Sequence, residues 1–170
     1  LNEDQGWRIE IKKYPKLTQQ AGWRVDDTDT PWNWAEIQFN ADKNKDTYGG
    51  YYTQEQVKEI VAYAHQRNIT IVPDIEMPWH YETAMATYPN LSCIPVNPDF
   101  TFANNSNFYI SKTAGNYCAG NDSAFVFLQN VLTEVMDIFQ SKSSHGGGEE
   151  VGKTSWKNWA RWTARRKNGG

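Results

Sequence analysis

A helix followed by a strand, met twice along the chain, constrains the fold more than any other feature. Thr53 and Gln56 make a Thr-x-x-Gln capping box. Val57, Ile60, Val61 and Ala64 follow at helical spacing, so the spacing predicts a helix that buries one stripe. Asn68 suits the C-terminal stop. Ile69-Thr70-Ile71-Val72 then reads as a short strand, continuous in β-formers as a buried parallel strand is. The rhythm recurs with Asn121-Asp122-Ser123 as the cap of a second helix. Phe125, Leu128, Leu132, Val135 and Phe139 line one face of it, and a strand is due between Lys142 and Gly148. Alternation of this kind belongs to an α/β fold with a parallel sheet. The Ile69 strand and the one near His145 are expected side by side and parallel, with the helix at 122–139 packed outside them. In such sheets function gathers beyond the C-terminal ends of the strands.

The remaining chain narrows the function classes. Its 170 residues suffice for one domain with a core. A net charge of −3 argues against a nucleic-acid partner, which calls for a basic face. No apolar run approaches the length of a membrane span. The opening Leu1-Asn2-Glu3-Asp4-Gln5 is neither a signal peptide nor a capped helix, and reads as a chain entered in mid-fold. Stretches 15–52 and 89–120, rich in Asn, Asp, Gly, Pro and aromatics, read as elaborated loops. Eight Trp and nine Tyr offer flat apolar faces with polar handles, which suit sugar rings as well as an ordinary core. Cys93 and Cys118 are either one disulfide or two buried thiols. Two cysteines and three histidines make no recognisable zinc pattern, so no metal or cofactor is expected.

Two acidic clusters fall where strands should end. The first is Asp74-Ile75-Glu76-Met77-Pro78-Trp79-His80. Asp74 and Glu76 are two apart and share a face on an extended chain. A histidine beside them can tune a general acid. The second is His145-Gly146-Gly147-Gly148-Glu149-Glu150-Val151. Adjacent carboxylates repel, which can raise one pKa and keep that group protonated near neutral pH. A protonated carboxyl is what glycoside cleavage needs at the leaving oxygen. Neighbouring side chains on a regular strand point to opposite faces, so both can reach one site only where the ladder breaks, and three glycines permit that.

These clusters lie within a wider resemblance. The run Glu3-Asp4-Gln5-Gly6-Trp7-Arg8-Ile9-Glu10-Ile11-Lys12-Lys13-Tyr14-Pro15 is similar to the segment after the second barrel strand of family-20 glycoside hydrolases, the β-N-acetylhexosaminidases. Tyr48-Gly49-Gly50-Tyr51-Tyr52-Thr53 and the helix after it resemble the same family. Pro73 to His80 resembles its third-strand motif, and His145 to Val151 its fourth-strand signature His-x-Gly-Gly-Asp-Glu. The resemblance implies that residues 1–170 are a partial catalytic domain of a (β/α)8 TIM barrel. It would run from the end of strand 2 through strand 4 and the following helix, incomplete at both ends. It implies a hydrolase that releases terminal N-acetylhexosamine from glycans with retention, the substrate's acetamido oxygen acting as nucleophile. By position, Glu150 is then the general acid and later the base, and Glu149 orients the acetamido N–H. Asp4 and His80 form a relay that tunes Glu150, while Glu76, His145 and Trp79 contact or support the substrate. The partner is a glycan ending in N-acetylglucosamine or N-acetylgalactosamine, in a secreted, periplasmic or lysosomal-type compartment. The 170-residue segment alone is expected to be inactive.

Several positions depart from the family pattern. Glu149 stands where the family has Asp and is one methylene longer. Trp79 replaces the usual Gly beside the histidine, and Asp74 the usual Glu. Lys142-Ser143-Ser144-His145-Gly146 is too polar for a buried strand. These departures leave a second reading: a glycan-binding barrel without catalysis, or a weakly active divergent homologue.

Overall fold

The computed structural model describes residues 1–4, 6–24, 48–92, 117–149 and 151. Two short antiparallel ribbons form first in the chain: β1 (Asn2–Glu3) with β2 (Gly6–Trp7), and β3 (Trp23–Arg24) with β4 (Tyr48–Gly49). One turn of helix, α1 (Lys16–Gln19), lies between β2 and β3. Then come α2 (Gln54–His65), α3 (Glu82–Thr87), a 3₁₀ turn at Pro89–Leu91, and α4 (Asp122–Phe139).

The expected start signals are formed. Thr53 accepts from the Gln56 N–H while the Gln56 side chain accepts from the Thr53 N–H, closing the capping box of α2. Asn68 takes a left-handed φ of 57° just past the helix end. Asn121 caps α4 by accepting from the Ser123 N–H.

The parallel pairing also forms, though not where β-propensity places it. Asp74 and His145 make a parallel bridge, with Ile75 N–H donating to His145 O and His145 N–H to Pro73 O. The expected strand Ile69–Val72 is not a strand. Ile69 and Val72 are more than half exposed, and only Ile71 packs partly on the core. Ser141 to Ser144, which precede the bridging His145, are polar and mostly exposed. Hydrogen bonding begins one step later, at Pro73, where His145 arrives.

The backbone of 73–77 points alternately to two sides. Odd residues bond toward His145 and Gly146, whereas the Asp74 carbonyl accepts from the Leu1 nitrogen and Glu76 bonds to Asn2. This segment is therefore the middle of three, with the start of the chain on one edge and 145–146 on the other. A second parallel bridge, Ile9 with Tyr52, ties the first ribbon to the entry of α2.

The core gathers under α4. Trp7, Ile9, Ile11, Leu17, Ile75, Tyr81, Phe127, Val131 and Val135 are fully buried. Each such side chain contributes roughly 1.5–3 kcal/mol relative to exposure. Phe127 meets Trp7 edge-on at 6.4 Å and Tyr14 at 4.6 Å between ring centroids. The buried stripe of α4 is Ala124, Phe127, Val131, Val135, Ile138 and Phe139, rotated from the expected one. Phe125 is 44% exposed, and Leu128 and Leu132 are only partly buried. The helix is apolar on most of its circumference, so spacing alone allows two overlapping stripes, and the aromatics of Trp7 and Tyr14 select one. On α2, Val57 and Ala64 are buried as expected, while Ile60 is exposed.

Polar side chains fasten α2 and α4 to the segment 10–13. Glu134 on α4 accepts from the backbone N–H of Lys12 and Lys13 at 2.7 and 3.0 Å and from Gln54 Nε2 at 2.6 Å. Glu10 accepts from the Gln54 N–H, placing a carboxylate at the positive end of α2. Among the described residues, no helix is long and apolar enough to cross a membrane.

Candidate active site

The site forms where the three parallel segments end and turn. The chain leaves the ladder after Leu1, pairs with β2 through β1 and turns at Glu3-Asp4. The 73–77 segment continues through a cis Met77–Pro78 peptide into Trp79 and His80. His80 holds a φ of 53°, a conformation a histidine occupies only at a cost of order 1 kcal/mol. The compensation comes from its partners.

His80 Nδ1 lies 3.0 Å from Asp4 Oδ2 and 3.3 Å from Glu3 Oε2. Burial works against the imidazolium here. The hydrogen bond and charge of Asp4 outweigh it, with Glu3 and Glu76 adding to them, and the His80 pKa rises above its ordinary value. The second oxygen of Asp4 accepts from the Glu82 N–H at the start of α3. The expected Asp4–His80 pair is thus formed. Glu150, the residue it is expected to tune, lies outside the described residues. Trp79 stands edge-on to His80, with ring centroids 6.1 Å apart.

The second cluster is held by another carboxylate–histidine pair. Asp74 Oδ1 lies 2.9 Å from His145 Nδ1, and this hydrogen bond, with the Asp74 charge, raises the His145 pKa. Glu76 is buried, and among the described residues its Oε2 has no hydrogen-bond partner. Burial first, then the charges of Asp74 and Glu149, push its carboxyl above the usual range. Gly147 and Gly148 both take positive φ, 62° and 103°. A Cβ at Gly147 would collide with the Glu76 carboxylate. The glycines therefore do what the sequence required of them: they break the strand and let the chain pass against Glu76 on its way to Glu149, which is exposed. Glu3, Asp4 and His80, and separately Asp74, Glu76 and His145, each bring donor atoms within 4.8 Å, close enough to share a cation. In both sets the histidine is already paired with a carboxylate, an arrangement suited to holding a proton.

Two residues of the site are absent from the sequence-level expectations. Asn2 carries no motif signal beyond standing two residues before Asp4. Glu82 has a weak one, a lone acid among Tyr81, Thr83, Ala84 and Met85. Its carboxyl is pushed up to about 8, by burial and then by the charge of Asp4, with His80 opposing. Between the ordinary glutamate value, near 4.3, and about 8, the folded chain holds a proton that the unfolded chain has lost. Stability from this group is thus full at acid pH and declines as pH rises through that window. In the complete protein, Glu82→Gln should flatten the fall in unfolding temperature across that interval. Parallel curves for wild type and variant would refute the assignment.

Cys118 is disulfide-bonded and buried. Cys93, the other cysteine in the sequence, lies outside the described residues.

The family description "Glycosyl hydrolase family 20, catalytic domain" matches residues 1–170. A β-hexosaminidase of Porphyromonas gingivalis is 41% identical over 159 residues, covering 92% of this chain and 17% of that protein. A β-hexosaminidase of Vibrio furnissii is 35% identical, covering 93% of this chain and 24% of that protein. The crystal structure of a β-N-acetylhexosaminidase from Bacteroides fragilis superposes with a TM-score of 0.69 at 36% identity, over 99% of this chain and 28% of that one. A family-20 exo-β-N-acetylglucosaminidase from Vibrio harveyi, solved with N-acetylglucosamine, superposes with a TM-score of 0.71 at 29% identity. The chain therefore spans between about a sixth and about a quarter of the length of these relatives by sequence.

Proposed function

The chain belongs to glycosyl hydrolase family 20, and on that premise we propose that the complete protein is a β-N-acetylhexosaminidase acting on terminal N-acetylglucosamine or N-acetylgalactosamine. Residues 1–170 are then part of its (β/α)8 barrel, from the end of strand 2 through strand 4 and the helix after it. The order Leu1, 73–77, 145–146 across the parallel ladder supports this reading, with α2 and α4 as the helices between successive strands.

The observation that carries the proposal is the Asp4–His80 pair, 3.0 Å apart, at the end of these segments in a chain matched by the family throughout. In the proposed mechanism Glu150 protonates the departing oxygen and then activates water. The Asp4–His80 couple carries the positive charge proposed to tune Glu150. Glu149 orients the acetamido group so that its oxygen reaches the anomeric carbon. Most of that effect is orientation, which can supply several powers of ten in rate. Glu76, buried against Gly147, supports the site, and His145 and Trp79 contact the sugar. The Cys118 disulfide supports an oxidising compartment, secreted, periplasmic or lysosomal-type.

A second reading, a glycan binder with little or no turnover, is favoured by one observation. Trp79 stands against His80 at the position where the family pattern has Gly. Release of nitrophenol from 4-nitrophenyl N-acetyl-β-glucosaminide and -galactosaminide by the complete protein separates the two. Turnover of either supports the hydrolase. Binding of N-acetylglucosamine without turnover would establish the second reading.

A further inference from the structure

We propose that Asn2 is a positioning residue for the reaction: its side chain replaces a stretch of sheet backbone, so that the chain can leave the sheet and bring Asp4 onto His80. The proposal rests on the role given above to the Asp4–His80 couple.

Asn2 is 2% exposed and uses both ends of its amide. Oδ1 accepts from the Glu76 N–H at 2.9 Å. Nδ2 donates to the Glu76 carbonyl at 3.2 Å and to the His80 carbonyl at 3.4 Å. The orientation of the amide is fixed by chemistry, since the opposite orientation would set an NH₂ group against the Glu76 N–H.

The Glu76 N–H and carbonyl point to the edge on which Leu1 pairs with Asp74. A regular parallel strand would continue along that edge with its own backbone. Here one side chain supplies the acceptor and the donor of the missing peptide group. The backbone is then free to turn, and β1 folds back on β2 through Asn2–Trp7 and Glu3–Gly6 pairs. That turn is what carries Asp4 across to His80.

Asn2 also acts on the other half of the couple. Its Nδ2 holds the carbonyl of His80, the residue whose left-handed φ must be maintained by its surroundings. One buried amide thus sets both the departure point of the strand bearing Asp4 and the backbone of the histidine it must meet. No local signature marks Asn2, because its partners are 74 and 78 residues away.

The test uses the complete protein with Asn2→Ala, and Asn2→Ser as a smaller perturbation if the first does not fold. Turnover of a chitobiose-type substrate with a poor leaving group, its pH profile and the titration midpoint of His80 by NMR are measured together with thermal unfolding. We expect kcat to fall about tenfold or more with KM changed less than threefold, and the His80 midpoint to move down toward that of Asp4→Asn. Asn2→Asp keeps the acceptor for Glu76 but sets an anionic oxygen against two carbonyls, so its loss should exceed that of Asn2→Ala. A kcat within twofold of wild type overturns the proposal. So does a lowered unfolding temperature with an unchanged His80 midpoint, which marks a merely structural amide. If wild type shows no turnover, the functional reading fails on its own. The His80 midpoint in Asn2→Ala still decides whether the amide sets the couple.

Discussion

In the complete protein, Glu150→Gln should lower kcat about a thousandfold on glycosides with poor leaving groups, within the ~10²–10⁴ range that a positioned proton donor supplies. The cause is the leaving oxygen. A sugar alkoxide departs only if it is protonated as the bond breaks, and glutamine holds no acidic proton. A nitrophenolate departs without much help, so on activated aryl substrates the loss should be about tenfold or less on the first step. KM should change little, because glutamine keeps the size of glutamate. The alkaline limb of the pH profile, which reports the group that must be protonated, should disappear. Steady-state kinetics on a chitobiose-type substrate and on a nitrophenyl glycoside check all three. Equal losses on both substrates would mean that Glu150 positions the sugar and does not donate the proton.

How far the sequence alone reaches depends on whether a feature is local. The Thr53 capping box, the Asn121 cap and the stop at Asn68 are decided within a few residues, and all three are formed. The glycines after His145 were legible for the same reason: a backbone that must pass a buried carboxylate with positive φ leaves a composition signal. The strand at Ile69–Val72 was misplaced because β-branched residues favour a strand only where a partner presents backbone and an apolar face. Ser141 to Ser144, which precede His145, are polar and mostly exposed, and the ladder begins at Pro73 and His145. The stripe of α4 was rotated because a helix apolar on most of its surface has no unique inward face until Trp7 and Tyr14 provide one.

The candidate site divides in the same way. Asp4 and His80 are 76 residues apart, and no spacing rule joins them; the family motifs did, and the pair is formed. Glu76 and Glu149 could be singled out as acids after strands. That Glu76 would be buried and lack a partner for one oxygen depends on how 73–77 lies against Gly147. Asn2 and Glu82 escaped because each acts through backbone groups or burial, which leave no pattern in one sequence.

Asp4→Asn should lower kcat about a hundredfold and move the titration of His80 to lower pH. The sign follows from the partner. A carboxylate 3.0 Å from Nδ1 favours the imidazolium, and it does so against the opposing effect of burial. Asparagine keeps a hydrogen-bond acceptor but removes the charge, so burial then dominates and the proton is held less firmly. The same change has a thermodynamic reading. A histidine whose folded pKa is raised stabilises the folded state fully below its unfolded value, about 6.5, and that stabilisation is lost as pH rises through the folded value. Wild type should therefore gain over Asp4→Asn at acid pH, and the gap should narrow above that window. Glu3 keeps part of the effect, because its Oε2 lies 3.3 Å from the same nitrogen. Glu3→Gln alone should shift the midpoint less, since its carboxylate is half exposed and screened by water. Histidine-resolved NMR titration, with the His80 signal identified by its absence from His80→Gln, measures the shift directly. A His80 midpoint unchanged in Asp4→Asn would mean that Asp4 does not set the charge of the ring, and the relay would have to be abandoned.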